Sequence, residues 1–140
     1  MFSTRIRNIM RKKKLLTAPP GTTVAAAARR MEKRGVGAVL IVEGERLVGI
    51  FTERDAVYRV LARGLDAGVT KLADVMTASP MTASPDETFG RALHVMQEQG
   101  FRHMPVVEAG VPVGIVSARN ALDPDLEEFV SESQRRIHMR

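Results

Sequence analysis

The segment Gly49-Ile50-Phe51-Thr52-Glu53-Arg54-Asp55 concentrates the groups best placed for chemistry. It leaves an apolar stretch with a hydroxyl at Thr52, a cation at Arg54 and a carboxylate at Asp55, three residues after the hydroxyl. This is the spacing of a helix start, where Thr52 caps backbone N–H groups and an acid complements the helix dipole. A carboxylate at such a start also accepts two hydrogen bonds from a vicinal diol such as that of a ribose. The helix N-terminus and Arg54 favour phosphate oxygens. Capping alone, and capping combined with ligand binding, are both open at this segment.

A second segment, Phe101-Arg102-His103-Met104-Pro105, places two polar side chains at the entrance to an apolar run. Arg102 and His103 suit either a solvated strand end or contact with a phosphate. Other chemistries find no foothold. The chain has no P-loop, no G-x-G-x-x-G after a strand and no G-x-S-x-G elbow. His94, His103 and His138 lack metal-helix spacing, and the absence of cysteine removes thiolate metal sites and a Cys nucleophile. No metal site is expected, and the isolated chain is not expected to be an enzyme.

The elements that position these residues come from an internal duplication. Residues 17–57 align without a gap on residues 82–122, so Pro20, Thr23, Met31, Gly35, Gly49 and Arg54 fall on Pro85, Thr88, Met96, Gly100, Gly114 and Arg119. Val24, Ala27, Ala28 and Met31 form a helical stripe that recurs as Phe89, Ala92, Leu93 and Met96. Thr23 and Thr88 precede the stripes as N-caps, and Gly35 and Gly100 follow them as stops. Strand, turn and strand are then predicted over 38–42 and 47–51, and again over 104–107 and 111–116. A second helix in the first copy is expected to bury Val57, Val60 and Leu61 and to end at Gly64.

With one residue of slippage the repeat extends backwards: Thr4, Ile6, Asn8, Ile9 and Met10 correspond to Thr70, Leu72, Asp74, Val75 and Met76. The expected organisation is repeat 1 over 1–66, repeat 2 over 67–123 and a tail helix over 124–140, with Asp123 as its N-cap and Leu126, Phe129, Val130 and Ile137 as its stripe. The fold class is α/β (α+β), with two pseudo-symmetric repeats packed sheet to sheet around a shared core. One difference between the copies stands out. The second corner reads Gly114-Ile115-Val116-Ser117-Ala118-Arg119-Asn120, so a cap survives while the carboxylate of Asp55 becomes the amide of Asn120.

At 140 residues and 44% hydrophobic content the chain is long enough for one continuous core. Its net charge of +5 gathers at Arg11, Lys12, Lys13 and Lys14 and at Arg135, Arg136 and Arg140. Basic clusters invite nucleic acid, but a chain with one Tyr and no Trp is poor in stacking platforms. No apolar run reaches membrane-span length, and the zero cysteine count fits a cytoplasmic protein.

The duplication, the Gly-x-x-Thr-x-x-Asp corner and the Phe-Arg-His-Met-Pro-Val-Val segment together resemble a tandem pair of cystathionine β-synthase (CBS) domains, a Bateman module. The resemblance implies a β-α-β-β-α unit in each copy and an adenosine-type ligand in a cleft between repeats: AMP, ADP, ATP, NAD(H) or S-adenosylmethionine. It implies a metabolite or energy sensor, usually a homodimer, acting on an effector protein. Matched by position, Thr52, Arg54, Asp55, Thr70, Val75, Met76, Arg102 and His103 form the favoured site. Thr4, Ile9, Met10, Ser117, Arg119 and Asn120 form a weaker one, which departs from the family pattern at Asn120. The competing expectation is a ligand-free interaction module or a basic nucleic-acid-binding protein.

Overall fold

The computed structural model describes residues 2–10 and 15–122; the basic cluster at 11–14 and the expected tail helix lie outside the described residues. Helix α1 (Val24–Arg34) starts where Thr23 Oγ1 accepts the Ala26 N–H at 3.2 Å and stops at Gly35, whose φ of 65° is the left-handed conformation that costs glycine nothing. Helix α4 (Phe89–Gln99) is built the same way from Thr88 to Gly100. The stripes bury Val24, Ala27 and Met31 in one copy and Phe89, Ala92, Leu93 and Met96 in the other. Ala28 is exposed although its counterpart Leu93 is buried, because a lone methyl at the edge of the stripe does not reach the core.

Strands β2 (Ala38–Glu43) and β3 (Arg46–Thr52) form a hairpin, flanked by short strands β1 (Thr17–Ala18) beside β2 and β4 (Thr77–Ala78) beside β3. In the second unit β5 (His103–Glu108) pairs with β6 (Val111–Ser117), and a parallel bridge from Ala83 to Val106 reproduces the β1–β2 contact. The register slips between Ile41 and Val42 and, at the duplicated place, between Val106 and Val107.

Strand alternation distributes the apolar residues over two layers. Val39, Ile41 and Phe51 pack with α1 in one core, and Met104, Val106 and Val116 pack with α4 in another. The opposite face carries Ala38, Leu40 and Ile50, which meet Ile115 in a third cluster between the two sheets. The repeats therefore pack sheet to sheet, with a backbone bond from Leu47 N to Gly110 O joining the hairpin ends.

The segments preceding each repeat are exchanged. A short 3₁₀ turn (Ile6–Asn8) sends Ile6 into the core of the second repeat, while helix α3 (Leu72–Val75), in the linker, sends Leu72 and Val75 into the core of the first. The bonding is duplicated: Ile6 N and Arg7 N donate to Glu87 O and Pro85 O, as Leu72 N and Ala73 N donate to Thr22 O and Pro20 O. Arg7 adds an ion pair to Asp86 at 2.9 Å.

The helix after β3 corrects the expected face. A first turn, α2 (Glu53–Asp55), runs into a π-helical stretch (Ala56–Leu61) in which Val60 alone is buried, while Val57 and Leu61 are 49% and 71% exposed. Bonds five residues apart, Ala62 N to Val57 O and Leu65 N to Val60 O, widen the turn. Residues 57 and 61 thereby leave the line that an α-helical stripe would follow.

Because Ile6 fills the second repeat's core, Ile6→Ala is expected to cost about 2–5 kcal/mol. Hydrogen exchange should show the loss of protection in α4, β5 and β6 before α1 and β2. Protection lost first in α1 would contradict the exchange.

Candidate functional site

The corner at the end of β3 is a reciprocal cap. Thr52 Oγ1 accepts the Asp55 N–H at 3.3 Å, and Asp55 Oδ2 accepts from Thr52 N at 2.9 Å and from Thr52 Oγ1 at 3.1 Å. A capping box of this kind contributes about 1 kcal/mol. It also fixes the carboxylate, leaving Oδ1 pointed at Arg59 Nε, 3.5 Å away. In the second repeat Asn120 Oδ1 takes the same two bonds, from Ser117 N at 2.8 Å and Ser117 Oγ at 3.4 Å.

The exchanged segments complete each corner. Met76 lies across Gly49 so closely that a Cβ there would collide with its sulfur, and a Cβ at Gly114 would stand 2.8 Å from Met10 Sδ. Each glycine thus lets a methionine from the exchanged segment cover a strand three residues before a capped corner. Thr52 and Asp55 are linked through Arg59 to the backbone of Val75 and Met76 on one side; on the other, Met10 covers Gly114, which precedes Ser117 and Asn120, while Ile9 packs against the second core. Val75 is buried in the core, so it offers the corner its carbonyl rather than its side chain.

Other sequence candidates sit differently. Thr70 and Thr4 lie at the starts of α1 and α4, where their carbonyls accept from Val24 N and Phe89 N. Arg54 is exposed and lies over the Tyr58 ring, 5.2 Å from its centroid, and Arg119 is exposed as well. The cation beside Asp55 is Arg59.

His103 lies on the inter-sheet face of β5, the counterpart of Ala38 in β2. A Cβ at Gly37 would stand 3.0 Å from Glu53 Oε1 and 3.6 Å from His103 Nε2, so these two side chains flank one point on the seam between repeats. Arg102 occupies the place of Gly37: its carbonyl accepts from Ala118 N at 2.8 Å, as Gly37 O accepts from Glu53 N at 3.0 Å. Burial pushes the His103 imidazole below its ordinary pKa; Glu53 opposes that shift and Arg102 adds to it. Among the described residues, no three His, Asp or Glu side chains cluster as a metal site.

Glu53 and Arg59 escaped the sequence reading. Glu53 sits where the repeats differ, against Ala118, so comparing the copies position by position marks it, whereas Arg59 lies beyond the aligned residues and carries no such signal.

A family model described as "CBS domain" matches residues 6–62 and 72–125. The chain belongs to the CBS domain family. Among curated relatives of this CBS pair, CBSX3, a mitochondrial CBS domain-containing protein of Arabidopsis thaliana, is 31% identical over 112 residues, covering 76% of this chain and 54% of the relative. The meiotically up-regulated gene 70 protein of Schizosaccharomyces pombe is 34% identical over 115 residues, covering 74% of this chain and 16% of its own length. The CBS pair thus spans about half of one relative and a small part of the other.

Among solved structures, an uncharacterized conserved protein from Pyrococcus horikoshii is 31% identical with a TM-score of 0.80, covering 87% of this chain and 92% of its own. The CBS domain pair of protein MJ0100, in complex with 5′-methylthioadenosine and S-adenosyl-L-methionine, is 27% identical with a TM-score of 0.76, covering 84% and 96%.

The seam histidine makes stability depend on pH. Its folded pKa is lowered, so the unfolded chain binds the proton first; stability is full above the ordinary value of about 6.5 and is lost as pH falls through the lowered one. The melting temperature is expected to drop between pH 7.5 and 5.5, and His103→Gln should flatten that drop. An unchanged slope in the variant would assign it elsewhere.

Proposed function

We propose that this CBS pair is a regulatory module rather than an enzyme, binding an adenine nucleotide or a related adenosine ligand between its repeats as a metabolite or energy sensor. The observation that carries the proposal is a fixed carboxylate, Asp55, at a corner whose strand is covered at Gly49 by Met76; beside Glu53 in the same turn lies a half-buried imidazole, His103, on the seam. The carboxylate offers lone pairs to ribose hydroxyls, the thioether a soft apolar surface to an adenine face, and His103 with Arg102 protons and charge to phosphate. The adenosine compounds in the complex of the similar MJ0100 pair support the same ligand class.

The Thr52–Asp55 cleft is the favoured site because its hydrogen bonds to a diol are charge-assisted, whereas Asn120 offers a neutral amide. Cytoplasmic placement belongs to the proposal. Among the described residues no helix is long and apolar enough to cross a membrane. Pairing with a second copy belongs to it too: Val57, Tyr58 and Leu61 present exposed apolar surface on one helix. Sedimentation at micromolar concentration should give a dimer mass that Leu61→Asp halves; a wild-type monomer would contradict the pairing.

Thermal melts with AMP, ATP, NADH and S-adenosylmethionine test the ligand class. A ligand at 100 times its Kd should stabilise the fold by about 2.7 kcal/mol. Asp55→Asn, which can keep the cap as Asn120 does, should lose most of the shift, while Asn120→Ala keeps it. Equal losses would remove the preference for one cleft, and no shift with any of the four at millimolar concentration would overturn the proposal. A phosphate beside His103 raises its pKa, so AMP should bind more tightly as pH falls from 7.5 to 6 while 5′-methylthioadenosine does not.

A further inference from the structure

Arg59 gathers groups from separate parts of the chain. Its Nε faces Asp55 Oδ1 at 3.5 Å, and its Nη1 donates to Val75 O and Met76 O, each at 3.1 Å. Those carbonyls are open at the C-terminal end of α3, where a cation is favourably placed. Beyond them the chain lays Met76 over Gly49 and enters β4, which pairs with β3 at Gly49 and Ile50. An unbroken path therefore runs from Thr52 through Asp55 and Arg59 to the backbone that leads into the second repeat.

Among the described residues the second repeat shows no such path. The position of Asp55 is Asn120, only 6% exposed. A carboxylate so buried would need a cation to neutralise it, and the amide avoids that need.

We propose that Arg59 is a positioning residue that couples the Thr52–Asp55 cleft to the inter-repeat linker. Ligand hydroxyls on Asp55 hold the carboxylate still, the carboxylate holds the guanidinium, and the guanidinium holds the Val75 and Met76 carbonyls. The ligand half of this coupling rests on the proposed function; the hold of Arg59 on the linker does not. A planar guanidinium spans a carboxylate and two carbonyls at once, which a lysine ammonium does not.

Amide hydrogen exchange at Met76 and Ser79, whose N–H groups donate to Leu72 O and Val48 O, reads the linker directly in the full chain. Without ligand, Arg59→Ala is expected to accelerate exchange there about tenfold, the scale of a charge-assisted bond, with partial recovery in Arg59→Lys. Asp55→Asn should accelerate it too, yet add nothing in the Arg59→Ala background. Arg91→Ala, which removes an ion pair on α4, should leave it unchanged. With saturating AMP the wild type should slow further, while Arg59→Ala binds AMP without slowing.

Wild-type exchange rates in Arg59→Ala, or effects of Asp55→Asn and Arg59→Ala that multiply, would overturn the positioning role. AMP that binds the wild type without slowing the linker would overturn the coupling. AMP that does not bind would overturn the ligand reading and the coupling with it, while the ligand-free comparison still decides the hold of Arg59 on the linker.

Discussion

Strands β2 and β3 are apolar on both faces, and that constraint organises the molecule. Val39, Ile41 and Phe51 turn one face to α1, while Ala38, Leu40 and Ile50 turn the other outward. One β-α-β unit has a single helix to offer and leaves a face of its sheet in water. The second copy supplies the missing cover, and burying each large side chain is worth about 1.5–3 kcal/mol. The seam on which His103, Glu53 and Gly37 meet is the edge of that layer, so the candidate site is a by-product of closing the core.

Exchange of the preceding segments ties the two copies further. Ile6 in the second core and Leu72 in the first mean that neither repeat is complete with its own contiguous residues. The exchange also delivers Met10 and Met76 onto the bare strands at Gly114 and Gly49. A ligand lodged against Met76 or Met10 would touch a segment that leads to the other repeat, which is the connection a regulatory module needs if binding is to shift an equilibrium between arrangements.

The two corners show how a duplicated device becomes asymmetric. Backbone and side chain keep the cap in both, through Thr52 with Asp55 and Ser117 with Asn120. The first carries a charge, with Arg59 beside it, while the second carries a neutral amide. The acid at Asp55 is therefore explained by its structural partner, and any ligand it takes shares the carboxylate with Arg59.

Much of this was readable from residue order. The ungapped register of 17–57 on 82–122, the caps at Thr23 and Thr88, the glycine stops and the hairpins are local, and local bonding enforces them wherever the pattern occurs. The slipped correspondence of Thr4 through Met10 with Thr70 through Met76 was equally visible. Which corner each segment covers followed from the family resemblance, which sets Thr70 to Met76 beside Thr52 and Asp55, and not from the residues themselves: two units with matching grooves accept either segment, and the choice belongs to the path of the chain in space. The same holds for Val57 and Leu61, whose apolar character suits a buried stripe until π-helical bonds turn them outward. Arg59 and Glu53 read as ordinary charged helix residues, since their meaning lies in partners sixteen and fifty residues away. Sequence alone determined the duplicated elements and the capped Thr52–Asp55 corner. Tertiary structure decided that the corner is bound through Arg59 to the linker, because hydrogen bonds between distant segments exist only once the exchange has brought them together.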